Sequence, residues 1–329
     1  METNDLPENI KSNVPLKNYS TFKIGGTAKY FCAVKDESET KEALDFAIKR
    51  KLRVFIIGKG SNLLIADKGF DGLVIKIESS DAVTEETEEG IMAHLGAGNL
   101  LTKLALDFQK DGIGGLAWAA GIPATLGGAI CNNAGAGGKD ISESVKSVNV
   151  LEMKFSPEKY LESYKLKEMA KDECGFNYRK SIFKDTKNFV ILGATLLLPR
   201  GDSAELKKEI EKNLENRRQK QPLEYPNVGS IFKNPTLSKK EQNRLSLKWA
   251  LSGDMCKNNI APAGWFIEQA GLKGTKIGGA MVSEKHANFI VNTGESTAEN
   301  VVILIGLIKQ KIYNKFGIQL REEVEYVGF

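Results

Sequence analysis

Histidine is almost absent from this chain. Only His94 and His286 occur in 329 residues, so a histidine-rich metal site has nothing to be built from. The four cysteines, Cys32, Cys131, Cys174 and Cys256, are far apart and form no C-x-x-C pair. That pattern supports neither a metal centre nor a disulfide framework, and reduced thiols in a cytoplasmic protein are expected. Long apolar runs are missing too. The longest aliphatic stretch, Val301 to Ile308, is far too short to span a bilayer. The opening residues, METNDLPENIKSN, are polar, and no signal peptide is expected. There is no block of Lys and Arg, and the net charge is only +4. This excludes a dedicated nucleic-acid binder and suits an anionic small molecule.

Glycine, in contrast, is concentrated. Ala119 to Ile141 reads AAGIPATLGGAICNNAGAGGKDI, with almost no charge. Such a run is too poor in side chains for a core helix and too apolar for a linker. Glycine lets backbone approach backbone or ligand where a Cβ would collide, and it frees N–H groups for anion-binding nests. A wall around a large phosphorylated cofactor and a tightly packed turn region that binds nothing both fit these residues.

The rest of the chain reads as a mixed α and β protein. Residues up to about Ser20 form an arm, followed by a turn and the strand KYFCAV. Ser38 is placed to cap a helix through Lys51, with Ala43, Leu44, Ala47 and Ile48 on one face. The strand Val54 to Ile57 runs into Gly58-Lys59-Gly60-Ser61-Asn62-Leu63. A Rossmann fingerprint needs a third glycine where Leu63 stands and a helix after it, and no G-K-[ST] closes a P-loop. A tight loop holding a pyrophosphate and an ordinary hairpin turn remain. Strands are expected at 73–77, 91–95, Val145 to Met153, Tyr160 to Tyr164 and Phe189 to Leu198. Asn99 is placed to cap a helix ending at Lys110 and closed by Gly112.

A solvated amphipathic helix spans Asp202 to Lys220, and a domain boundary is expected near 200. QPLEYPNVGSIFKNP follows, a proline-fixed turn whose polar content is Ser230, Lys233 and Asn234. Pro262 to Ala270 is a short helix with proline in its first turn. Gly278 to Asn292 is a strand pair around His286 and Asn288. Ser296 and Glu299 form a capping box for the last helix, which stops at Phe316-Gly317. In the tail LREEVEYVGF, Glu322 and Glu323 fall on opposite faces of a strand.

STFKIGGTAKYF, GKGSNLLI, AGIPATLGGAICNNAGA, NYRKSIFK, QPLEYPNVGSIFKNP, AGWFIEQAGLKG, GGAMVSEKHANFIVN and LREEV occur in this order. Together, from about Tyr19 to Gly328, they resemble the UDP-N-acetylenolpyruvoylglucosamine reductase family, in its shorter type without an inserted tyrosine loop. The resemblance implies an α+β protein with a PCMH-type, vanillyl-alcohol-oxidase-like FAD-binding fold and a C-terminal α/β substrate domain. It implies an arm at 1–19, FAD-binding subdomains at 20–80 and 81–200, and a UDP-sugar domain at 201–329 whose tail returns to the active site.

By position, the resemblance makes Arg179, Ser230 and Glu323 catalytic. Ser230 is the proton donor, and Arg179 and Glu323 stabilise the charge that hydride addition creates. Gly58, Lys59, Gly60, Ser61, Asn62 and Leu63 fall in one FAD-binding segment. Gly121, Ile122, Pro123, Gly127, Gly128, Asn133, Ala134 and Gly135 fall in the other. Lys233, Asn234, Gln269, His286 and Asn288 fall in substrate-facing segments. The sequence departs from the family pattern at Gly137 (usually Tyr), Asn132 (usually apolar) and Glu322 (usually Pro). The implied activity is NADPH-dependent, FAD-mediated reduction of an enolpyruvyl ether to a lactyl ether in peptidoglycan precursor synthesis, by a cytoplasmic monomer. No nucleic acid, membrane span or metal is expected. A flavin oxidase of the same fold and a UDP-sugar-binding protein without flavin are the alternatives. The Gly-Ser-x-Phe-Lys-Asn-Pro segment counts against the first, and the intact glycine-rich segments count against the second.

Overall fold

In a computed structural model, which describes residues 6–256 and 258–329, the chain divides into two compact units. The first comprises residues up to Val14, Thr27–Lys59 and Phe70–Gln219; the second comprises Pro15–Gly26, Gly60–Gly69 and Lys220–Phe329. The first five residues of the expected arm lie outside the described ones.

The first unit holds two sheets over one core. In the first sheet, β1 (Lys11–Pro15), β2 (Thr27–Val34), β3 (Val54–Ile57) and β5 (Phe70–Ile77) run in the order β1-β2-β5-β3. The β2–β5 and β3–β5 pairs are parallel. The helix α1 (Glu37–Lys49) supplies the connection that parallel strands need. It buries Ala43, Leu44 and Ala47, and Asp36, not Ser38, caps it by accepting from Glu39 N at 2.8 Å. The residues expected as an arm are therefore partly β1, an edge strand of this sheet.

The second sheet is antiparallel, in the order β11-β10-β12-β7-β6. Its strands are β6 (Ala82–Thr87), β7 (Gly90–Gly96), β10 (Val145–Phe155), β11 (Leu161–Ala170) and β12 (Phe189–Leu198). The strand β6, AVTEET, has no apolar alternation to announce it. It is an exposed, acidic edge, and edge charge discourages unwanted pairing. Between β7 and β10 of this sheet lies α2 (Leu101–Lys110), which buries Leu101, Leu104, Ala105 and Phe108. Its N-cap is Leu100; Asn99 instead donates to Asp81 O at 2.8 Å and Gly96 O at 3.0 Å.

The glycine-rich stretch contains a helix after all, α3 (Leu126–Asn132), with Leu126, Ala129 and Ile130 buried. Small residues let it lie close to its neighbours: a Cβ on Gly127 would sit 3.0 Å from the Cβ of Ala97. The ribbon β8 (Gly135–Ala136) and β9 (Lys139–Asp140) follows. Helices α4 (Ile182–Thr186) and α5 (Ser203–Lys220) complete the unit. Ile210 of α5 is buried in this core, and Gln109 Nε2 donates to Ser203 O at 2.9 Å. The expected boundary near 200 therefore moves to 219/220, because α5 packs on the unit that precedes it.

In the second unit, β13 (Asn227–Ser230), β14 (Lys276–Ile277), β15 (Ala280–Val282) and β16 (Phe289–Asn292) form an antiparallel sheet in the order β13-β16-β15-β14. Helices α6 (Lys239–Trp249), α7 (Ala263–Gln269) and α8 (Ala298–Phe316) belong to the same unit. A parallel ribbon joins β4 (Leu63–Ile65) to the C-terminal β17 (Glu325–Val327). Phe22, Ile24 and Leu64 are buried in this unit's core, which explains why 15–26 and 60–69 leave the sheets that flank them in sequence. The connection between Pro235 and Pro262 contains α6 and no tyrosine.

All four cysteines are free, and burial pushes the thiols of Cys32 and Cys174 up to about 12 and about 11. Among the described residues no helix is long and apolar enough to cross a membrane, and no cluster of three metal-ligating side chains exists.

The start of α8 is held twice. Its capping box is Thr297 with Asn300, one residue beyond the expected Ser296 and Glu299. Asp67, far away in sequence, accepts from Ala298 N at 2.9 Å and from Glu299 N at 3.1 Å. These are the donors that a helix start leaves orphaned, and a carboxylate there also meets the positive end of the helix dipole. Asp67→Ala is expected to lower the denaturant-derived stability by about 1 kcal/mol and Asp67→Asn by less, without a change of fold in far-UV circular dichroism.

Candidate active site

In the first unit the site is assembled on α3 and the ribbon after it. Thr125 caps α3 by accepting from Gly128 N at 3.3 Å. The same hydroxyl lies against Gly58, where any Cβ would collide with it. The start of the expected cofactor segment 58–63, at Gly58, thus touches the expected segment 121–135 within this unit. At Gly128 a Cβ would find only Thr125 Oγ1, 3.3 Å away. Glycine inside a helix costs roughly 0.5–1 kcal/mol relative to alanine, and no crowding by the protein requires it at 128. This is the behaviour of a cradle wall that leaves room for a ligand.

Asn133 ends α3 in the left-handed region, φ 43°. It is buried and its side chain is committed to structure: Nδ2 donates to Asn177 O at 3.0 Å, and Oδ1 accepts from Ser142 N at 3.3 Å. The segment from Asn177 to Ser181 closes over this helix end. Asn177 and Lys180 exchange backbone hydrogen bonds in both directions, which puts Tyr178 and Arg179 at the corner of a tight turn. Arg179 is left-handed there, φ 53°, and its guanidinium donates to Asn133 O at 3.2 Å and Gly135 O at 2.6 Å. Ser181, fully buried, caps α4 and donates to Cys131 O at 2.5 Å. Arg179 is therefore aimed by main-chain carbonyls of the glycine-rich segment itself.

The two departures in this segment have local explanations. Asn132 Oδ1 accepts from Lys184 Nζ at 2.8 Å, so a polar residue is satisfied where an apolar one is usual. Gly137 and Gly138 have φ 67° and 91° and form the two-residue link between β8 and β9. Such a link needs positive φ at its centre, which tyrosine adopts poorly.

In the second unit, Ser230 ends β13, next to Gly229 with φ 79°. Its neighbours are pinned from both sides. Asn288, buried, accepts from Phe232 N at 3.1 Å and donates to Phe232 O at 2.9 Å, while its own O accepts from Ile231 N at 2.9 Å. The tail supplies the other side: Glu323 N donates to Ile231 O at 2.8 Å, and Lys233 N donates to Arg321 O at 2.9 Å. Asn62 Nδ2 donates to Glu323 O at 3.1 Å, and Glu325 N donates to Asn62 O at 2.9 Å. The segments carrying Ser230, Lys233, Asn62 and Glu323 are thus joined by main-chain bonds and by the Asn62 side chain. Ser230 Oγ is half-buried and makes no hydrogen bond among the described residues. Glu322 forms an ion pair with Lys309 of α8 at 2.8 Å.

The remaining candidates are dispersed. Asn234 accepts from Ala263 N at 2.9 Å at the start of α7, and Gln269 is exposed at the other end of that helix. His286 accepts from Asn288 N at 3.2 Å through Nδ1, and burial holds its pKa below the ordinary 6.5. Asn234 and Asn288 have their amides engaged by backbone in this structure, and Lys59 is exposed. Thr125 and Ser181 do not stand out in the sequence. Both are cap residues, but the glycine run hides the helical period that would have given them meaning.

The fold and the glycine cradle define a flavin-binding oxidoreductase. Residues 28–154 match a family described as an FAD binding domain, and residues 221–327 match the C-terminal domain of UDP-N-acetylenolpyruvoylglucosamine reductase. The chain is 36% identical to the reductase of that name from Lachnoclostridium phytofermentans, over 98% of this chain and 94% of the relative. It is 37% identical to the one from Carboxydothermus hydrogenoformans, over 99% of this chain and 96% of the relative. The crystal structure of the Thermus caldophilus enzyme superposes with a TM-score of 0.71 at 27% identity, covering 97% of this chain and 98% of that one. The chain belongs to the UDP-N-acetylenolpyruvoylglucosamine reductase family, with its PCMH-type FAD-binding fold. FAD is its cofactor, and the space left open beside Gly128 is compatible with a ligand there.

Gly128→Val places a branched side chain into that cradle. The variant is expected to fold, by circular dichroism, and to purify without the flavin absorbance of the wild type. Wild-type flavin content in Gly128→Val would move the cofactor wall elsewhere.

Proposed function

We propose that this protein reduces the enolpyruvyl ether of UDP-N-acetylglucosamine to the lactyl ether of UDP-N-acetylmuramate at the expense of NADPH, as a cytoplasmic step of peptidoglycan precursor synthesis. The observation that carries the proposal is Ser230. Its hydroxyl is the polar group on the pinned segment with no hydrogen-bond partner among the described residues, although main-chain bonds fix the residues after it.

FAD held by the segments 58–63 and 121–135 would supply the hydride chemistry, with NADPH as reductant, for addition of hydride to the terminal vinyl carbon. That addition leaves negative charge on the carboxylated carbon. Arg179, held by two carbonyls before any substrate arrives, is a preorganised cation for this charge. Glu323, whose main chain is fixed on both sides, is assigned a hydrogen bond to the same group. Ser230 gives a proton to the carboxylated carbon, which completes the saturated ether. Serine is a weak acid, and Lys233, three residues along the same pinned segment, is the group assigned to stabilise the alkoxide left behind. Lys233, Asn234, Gln269, His286 and Asn288 remain the residues proposed for the UDP-sugar side. Of these, Asn234 and Asn288 act through the backbone they hold.

Ser230→Ala separates the two halves of the reaction. The variant is expected to fold, to retain FAD, and to be bleached by NADPH at nearly the wild-type rate in stopped-flow absorbance. Reoxidation by the enolpyruvyl sugar is expected to slow by roughly 10²–10⁴-fold, the usual contribution of a general acid. A near-wild-type second half-reaction would assign the proton to another group.

A further inference from the structure

Helix α5 lies along the glycine-rich segment of the first unit. Glu209, Asn213 and Arg217 fall on one face at spacings of four, and they meet the ribbon, the turn just before the segment and the segment itself. Glu209 Oε1 is 3.5 Å from Lys139 Nζ, and Asn213 Nδ2 donates to Ala117 O at 3.2 Å. Arg217 packs the end of its side chain on Gly121. A Cβ on Gly121 would collide with Arg217 Cδ and lie 2.6 Å from Nε. Gly121 is thus bare because an arginine covers it.

The other charges around this face are accounted for. Lys139 is opposite Glu209, Arg218 is 3.5 Å from Glu215, and Lys207 and Lys212 are exposed to water. Arg217 differs from all of these. It is half-buried, no carboxylate lies within ion-pair distance among the described residues, and it donates no hydrogen bond among them. Burial lowers its pKa, and no carboxylate opposes that effect. A guanidinium withdrawn from water without an anion is costly. Covering apolar surface with the stem of the side chain accounts for its packing but leaves the missing anion unexplained.

We propose that Arg217, its side chain packed on Gly121, binds the diphosphate of FAD. A planar fork suits bidentate phosphate recognition, and a partly desolvated site strengthens it. The proposal rests on the flavin-binding reading of this segment and adds a residue from outside both glycine segments. It also explains Gly121, whose missing Cβ lets the guanidinium reach down to the loop.

The test titrates the flavin-stripped full-length protein with FAD and with riboflavin, following the quenching of flavin fluorescence. Arg217→Gln is expected to weaken FAD binding by about 10- to 100-fold, as for a lost charge-assisted contact, and to leave riboflavin binding unchanged. Gly121→Ala, which pushes the guanidinium away without removing it, is expected to weaken FAD selectively in the same direction. UDP-N-acetylglucosamine binding, measured by calorimetry, is expected to stay at wild-type strength in both variants. Wild-type FAD affinity in Arg217→Gln overturns the proposal. So does an equal loss for riboflavin, which marks a structural defect, or a loss confined to the UDP-sugar, which assigns Arg217 to the substrate's diphosphate. Wild-type protein that binds neither flavin overturns the underlying reading of the segment instead.

Discussion

The main chain around Glu323 is the point on which the second unit depends. Its N–H donates to Ile231 O and its C=O accepts from Asn62 Nδ2, a partner 261 residues away. Phe232 and Glu322 pair as an isolated antiparallel bridge, and β17 continues alongside β4. Three stretches that are remote in sequence, 62–65, 231–233 and 321–327, are therefore fixed by one set of backbone bonds. Closing loops of this length costs entropy, although the cost grows only slowly with loop length. Buried Leu64, Phe232 and Val324 in the same core offset it. The consequence is that the backbone carrying Ser230, Lys233 and Glu323 is fixed by main-chain bonds together with the side chains of Asn62 and Asn288.

The first unit solves a different problem. It must present bare backbone without leaving that backbone unsatisfied. Thr125, Asn133 and Ser181 commit their side chains to the helix end and its closing turn. Arg179 takes up two carbonyls there, from a left-handed conformation that costs of order 1 kcal/mol or more and persists only where the surroundings fix it. The reciprocal hydrogen bonds between Asn177 and Lys180 provide that constraint. In this region cap residues hold the shape, glycines leave backbone bare, and Arg179 brings a guanidinium against it.

Much of this was legible in the sequence. Helices with a clean apolar period and a glycine stop, such as 101–110 and 298–316, were readable to within a residue or two. The caps were displaced because several candidates stood side by side: Asp36 beside Ser38, Thr297 beside Ser296. The site segments were readable through their ordered resemblance to one family. Three features were not. The helix at 126–132 has too few large side chains to show a period. The edge strand 82–87 has no apolar face. The membership of 15–26, 60–69 and 203–219 follows from burial of Phe22, Leu64 and Ile210, which no local pattern encodes. Arg217 was invisible for a related reason, since it reads as one more charge on a solvated helix until Gly121 is found beneath it.

Amide hydrogen exchange on the full-length protein tests the central claim, that the C-terminal tail is a structural part of the second unit's core. The amides of Glu323 and Glu325, which donate to Ile231 O and Asn62 O, are expected to exchange only through global unfolding of that unit, with the same free energy as the amides of β16. Rapid exchange at Glu323 and Glu325, at the rate of a frayed terminus while β16 stays protected, would contradict the account.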